Sequence, residues 1–133
     1  MELNLWAILV SAVVYVAVGA LWYSKALFAE SWIKLVGLTA EDTQREYTPW
    51  LIVANAVVAL VGAFVLGLIV EWMGAANILQ GLFVGALVGV GVAAATRLPE
   101  YMYEGRPFRL FLVNSGHDIV GFLLMGAILG LWQ

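Results

Sequence analysis

A chain of 133 residues of which 64% are hydrophobic is not an ordinary soluble domain. Globular proteins average about 45–50% apolar residues even with glycine counted, and so small a domain has too little interior to hide the excess. A net charge of −3 from nine acidic and six basic residues leaves no basic stripe for nucleic acid. The absence of cysteine excludes disulfides, thiolate metal sites and cysteine nucleophiles, and the single histidine gives zinc or haem no ligand set within this chain, so no metal or cofactor is expected.

The first apolar stretch, about residues 3–23, contains Ser11, Tyr15 and Gly19 but no charge. It is long enough to cross a hydrocarbon core of about 30 Å as a helix. No basic residue precedes it, so it reads as a retained span rather than a cleaved signal. The polar segment that follows has Leu27, Phe28, Trp32, Ile33, Leu35 and Val36 at helical spacing among Lys25, Glu30 and Lys34. This predicts a short amphipathic helix at a membrane interface, ended by Gly37, with Thr39 and Asp42 as a capping box for another turn. A plain ordered linker is the alternative.

A second span is expected over about residues 49–70, with Thr48 as cap and Pro49 in the first helical position. After a short turn comes a third, about residues 77–96, closed by Thr96, Arg97 and Pro99. Gly81, Gly85 and Gly89 recur there every four residues. Small residues at that spacing let two helix backbones approach closely, in this chain or between copies. Gly126 and Gly130 repeat the pattern in the fourth span, about residues 108–132.

The third loop holds Arg97, Glu100, Glu104, Arg106 and Arg109. Pro99 can start a helical turn that Gly105 ends, with Glu100 and Glu104 on one side. Such a loop is either a solvated, self-neutralising surface or, with Asp118 nearby, a carboxylate-rich cation site. The apolar part of the fourth span, residues 119–132, is too short to cross a bilayer alone, so Asn114, His117 and Asp118 must come to membrane depth. With Gly121 they share one helix face. Ionisable groups at that depth mark either a proton or ion path or a polar knot fastening helices, with Arg97, Arg109 or Asn55 as candidate partners. Asn55, Gly62 and Gly67 recur as Asn114, Gly121 and Gly126 at equal offsets, a hint of a duplicated hairpin.

The six basic residues lie in the first and third loops and none in the termini or second loop. Trp22, Trp32 and Trp50 fall at one face and Trp6, Trp72 and Trp132 at the other. Both patterns put the loops in the cytoplasm and both termini outside. The expected fold is therefore an all-α integral membrane protein, one domain of four transmembrane helices as an up-down bundle of two hairpins, with an interfacial helix in the first loop.

The run Gly19-Ala20-Leu21-Trp22-Tyr23-Ser24 with Phe28 and Trp32 downstream resembles the domain-of-unknown-function family 1761, small four-helix membrane proteins of bacteria. Glu104-Gly105-Arg106, the run from Phe111 to Gly116 and the closing run from Gly126 to Trp132 are similar to it as well. The resemblance implies a bacterial inner-membrane protein and no particular chemistry. It draws attention to Trp22, Tyr23, Phe28 and Trp32, whose plain role is interfacial anchoring. The leading functional expectation is a homo-oligomeric transport or conduction protein lined by Asn55, Asn114, His117 and Asp118, with the glycine ridge between copies. A non-catalytic subunit of a larger membrane complex is the alternative, and an enzyme at the cytoplasmic face ranks third.

Overall fold

The structure, a computed structural model, describes residues 2–38 and 49–132. The expected capping box at Thr39 and Asp42, the cap at Thr48 and the cation Arg45 lie outside them. All regular structure among the described residues is helical: α1 (Leu5–Trp22), α2 (Ala29–Val36), α3 (Pro49–Trp72), α4 (Ile78–Tyr103) and α5 (Phe108–Leu131). Every helix except α2 is long and apolar enough to cross a membrane.

Local chemistry sets the ends. Asn4 and Asn77 cap α1 and α4, their side chains accepting from the backbone N–H of Ala7 at 3.1 Å and of Gln80 at 3.0 Å. Each bond satisfies a donor that a helix start leaves open. Helix α2 stops at Gly37, whose φ of 80° suits glycine and whose N–H returns to the Ile33 carbonyl at 3.0 Å. The amphipathic helix expected in the first loop is thus present, and its Trp32 and Leu35 pack toward Tyr101, Leu110 and Phe111.

Helix α5 is the hub. In its most apolar stretch 44% of residues are buried, against 22–28% in the other three long helices. It packs most extensively on α4, then on α1, while α3 leans chiefly on α1. The outward faces carry large apolar residues such as Leu9, Val57, Phe64 and Phe83, a surface suited to lipid rather than water.

The α4–α5 contact rests on glycine. A Cβ at Gly81 would stand 2.0 Å from the Gly126 carbonyl oxygen, one at Gly85 2.3 Å from the Phe122 carbonyl oxygen, and one at Gly130 2.5 Å from the Asn77 carbonyl oxygen. The backbones touch where side chains would otherwise hold them apart. The ridge is therefore consumed within the chain and not between copies as expected: both glycine series face each other. The hairpin repeat fares unevenly, since Gly121 packs on Tyr15 and Gly126 on Gly81 while a side chain at Gly62 would meet open space.

The third long helix does not stop at Thr96. It passes through a wide π segment, Gly89–Ala94, and runs over Pro99 to Tyr103. Arg97 therefore belongs to the helix and not to the loop. Proline removes one backbone donor, and the Thr96 hydroxyl donates to the Val92 carbonyl at 2.6 Å within the loosened stretch. In plain α geometry Arg97 would sit about 80° past Gly89 after two turns, whereas one extra residue in a π bulge takes back about 100°. Gly89, against Ile119, and Arg97 consequently both face α5.

Gly85→Ala should lower stability by about 2 kcal/mol, because a backbone carbonyl and not a flexible side chain must yield. Gly62→Ala should leave it unchanged within about 0.5 kcal/mol. Denaturation in mixed micelles, followed by tryptophan fluorescence, measures both; equal effects at the two positions would contradict the packing.

Candidate polar site at the α1, α4 and α5 junction

Two helices, α1 and α4, converge on the polar face of α5. Its residues Asn114, His117, Asp118 and Gly121 recur at three- and four-residue steps and so share one side. Tyr15, Gly19, Trp22 and Tyr23 form the facing row on α1, and Arg97 and Tyr101 the row on α4. Long side chains on a helix lean toward its N-terminus, so Arg97 and Tyr101 reach back along α4 to meet residues of α5.

The Asp118 carboxylate is engaged on both oxygens. Arg97 Nη2 lies 2.9 Å from Oδ2, the Tyr15 hydroxyl donates to Oδ1 at 3.0 Å, and His117 Nδ1 lies 3.1 Å from the same Oδ1. Only 9% of the Asp118 side chain is exposed, against 37% of Arg97, so the guanidinium reaches in from the edge. One turn nearer the loop, the Tyr23 hydroxyl donates to Asn114 Oδ1 at 2.7 Å and Asn114 Nδ2 donates to the Tyr101 hydroxyl at 2.7 Å. Asn114 therefore bridges α1 and α4. Trp22 Nε1 donates to the Val113 carbonyl at 2.8 Å.

His117 sits in an aromatic enclosure. The rings of Tyr15, Tyr23 and Trp22 lie 5.1, 5.5 and 6.5 Å away. Gly19 makes the room, since a Cβ there would come within 3.1 Å of His117 Nε2. That nitrogen is buried without a hydrogen-bond partner, as are the hydroxyls of Ser11 and Ser115. Gly116 and Gly121 likewise admit the rings of Trp22 and Tyr15.

Of the expected site residues, Asn114, His117 and Asp118 come together and Arg97 is their partner. Asn55 does not join them: it is exposed on α3 and takes part in none of these bonds. Arg109 is exposed and makes no ion pair among the described residues. Glu100 and Glu104 stand 3.9 and 3.6 Å from Arg106, more than half exposed, while Arg106 covers the Tyr101 ring at 4.4 Å. They form a solvated cluster apart from Asp118. No group of three His, Cys, Asp or Glu able to hold a metal occurs among the described residues.

Phe28 stacks on Trp22 with centroids 4.7 Å apart, and Trp32 meets Tyr23 edge-on at 5.8 Å. The four aromatics expected as interfacial anchors thus tie α2 to the end of α1, and two of them also bond α5. Sequence reasoning missed Tyr15 and Tyr101. For Tyr15 a signal existed: it lies seven and eight residues before Trp22 and Tyr23, on the same helix face. For Tyr101 none did, because Pro99 reads as a break.

Removing one member of a buried ion pair strands the other. Arg97→Met should therefore cost about 2 kcal/mol, toward the low side because Arg97 is partly exposed. Combining it with Asp118→Asn should recover most of the loss, and Tyr15→Phe should cost about 1 kcal/mol. A double-mutant cycle on unfolding in micelles measures the coupling; strict additivity would refute the pair.

No curated protein and no solved structure matches the chain. A family model does, over residues 6–130, and it is that of the protein of unknown function DUF1761. The match takes in α1 through α5 up to the final glycine, Trp22-Tyr23-Ser24, the Arg97–Asp118 pair and the glycine contact included. The chain belongs to the DUF1761 family.

Proposed function

We propose that this chain is a multi-pass protein of the bacterial cytoplasmic membrane, an up-down bundle with both termini outside, that serves as a non-catalytic accessory or scaffold subunit of a larger membrane assembly. The orientation follows the basic residues, all of which lie in the first and third connections or the adjoining ends of α4 and α5. The functional reading is carried by the closed state of Asp118. It lies about 15 Å along α5 from the helix start, near mid-depth of a core about 30 Å thick. A charge there is costly unless paired, and both of its oxygens are held by this chain's own Arg97, Tyr15 and His117. Side chains so engaged fasten helices together and leave no polar surface for a passing ion.

The glycine faces are spent between α4 and α5, so contact with another subunit falls to the outer face of α3. Asn55 is exposed there, six residues into the helix. An amide at that depth is better satisfied by a neighbouring helix than by lipid. A second reading, proton or cation movement through a homo-oligomer, draws on one observation: His117 Nε2 is buried without a partner beside Asp118, and histidine changes charge near neutral pH.

A photo-reactive amino acid in place of Asn55, activated in intact cells, tests the choice. One discrete adduct with a different membrane polypeptide is the expected result, with Leu79, exposed on α4, giving lipid adducts alone. A self-adduct together with ion flux in proteoliposomes that Asp118→Asn abolishes would overturn the accessory reading in favour of conduction. Lipid adducts at both positions would overturn it outright.

A further inference from the structure

Two furrows on α5 adjoin at Leu112. The first, about 500 Å³, lies between α2 and α5 and is lined by Phe28, Ser31, Lys34, Arg109 and Leu112. The second, about 390 Å³ and almost wholly apolar, lies between α4 and α5 and is lined by Val90, Leu98, Phe111, Leu112 and Ile119. The first has cations at its mouth; the second has none. Arg97 and Arg106 are paired with carboxylates, whereas Lys34 and Arg109 make no ion pair among the described residues. Two cations that no described carboxylate neutralises are thus left beside a serine hydroxyl on one groove.

We propose that this composite furrow holds one anionic phospholipid, its phosphate between Lys34, Arg109 and Ser31 and an acyl chain laid over Leu112 into the apolar part. Charge complementarity argues for the headgroup, since each basic side chain near a membrane surface attracts anionic lipid independently of shape. Length argues for the tail. From Arg109 to Ile119 the furrow runs ten residues along a helix, about 15 Å, which is the thickness of one leaflet of a core about 30 Å across. The amphipathic helix α2 supplies the remaining wall, with Phe28 fixed on Trp22 and Trp32 on Tyr23. The occupant would fasten α2 to the bundle, because Lys34 and Ser31 belong to α2 and Arg109 to α5. The proposal rests on the membrane orientation given above and is independent of the accessory role.

The test uses the whole chain in a mild nonionic detergent, with native mass spectrometry during titration by dioleoyl phosphatidylglycerol or dioleoyl phosphatidylcholine. Roughly tenfold tighter retention of the anionic lipid is expected from two cations. K34Q/R109Q, both exposed positions, should erase that preference, and L112W should weaken retention of both lipids by obstructing the junction. Equal retention of the two lipids by the wild type, or an unchanged preference in K34Q/R109Q, would overturn the site. So would displacement of the lipid by millimolar glycerol 3-phosphate, which would identify an ion site without a tail. Extraction of the protein from vesicles by alkaline carbonate would defeat the membrane reading itself; firm retention in vesicles without anionic preference would defeat this proposal alone.

Discussion

Contact between the backbones of α4 and α5 is the constraint on which the other features depend. Helices with outer faces this apolar, when set in lipid, gain no hydrophobic drive from meeting each other, and their association there comes from van der Waals contact and polar bonds. Gly81, Gly85, Gly126 and Gly130 bring the two backbones together. That approach allows Asp118 to meet Arg97 and Asn114 to meet Tyr101. Were the axes spread by side chains at the glycines, arginine would have to reach farther and tyrosine would fall short. Close packing and the polar ties therefore reinforce each other along one seam.

The second seam, between α1 and α5, is built on a different rule. Glycines also line it, but they receive rings instead of backbone: Gly19 receives the imidazole of His117, Gly116 the indole of Trp22 and Gly121 the phenol of Tyr15. Aromatic groups supply large contact areas with polar tips, and those tips bond Asp118, Asn114 and the Val113 carbonyl. Helix α5 thus meets one neighbour through its bare backbone and the other through interlocked rings, which accounts for its depth of burial.

Much of this was legible in the sequence and some was not. The four long helices and the α2 helix ending at Gly37 follow from apolar length and capping chemistry, which are local. The polar face of α5 was legible because Ile119 onward is too short to span alone. The choice of partner was not, since Arg97, Arg109 and Asn55 can each donate to a carboxylate and only the folded arrangement selects among them. The glycine ridge announced a close approach without saying to what. Asn55 and Asn114 share residue type and downstream spacing, yet one lies at a junction and the other on an outer face. Pro99 concealed the continuation of α4, because proline's local cost is visible in sequence and the looser turns before it are not.

Those looser turns carry a further consequence. The six residues from Gly89 to Ala94 are small or β-branched and supply none of the network's side chains, so their contribution is a phase: they decide which way the last three turns of α4 point. Were the same residues, with none removed, to wind in ordinary α geometry, Arg97 and Tyr101 would swing about 100° off α5. Every side chain of the network would survive, and both of its ties to α4 would be lost. The site is written partly in the identity of its residues and partly in how the backbone winds between them.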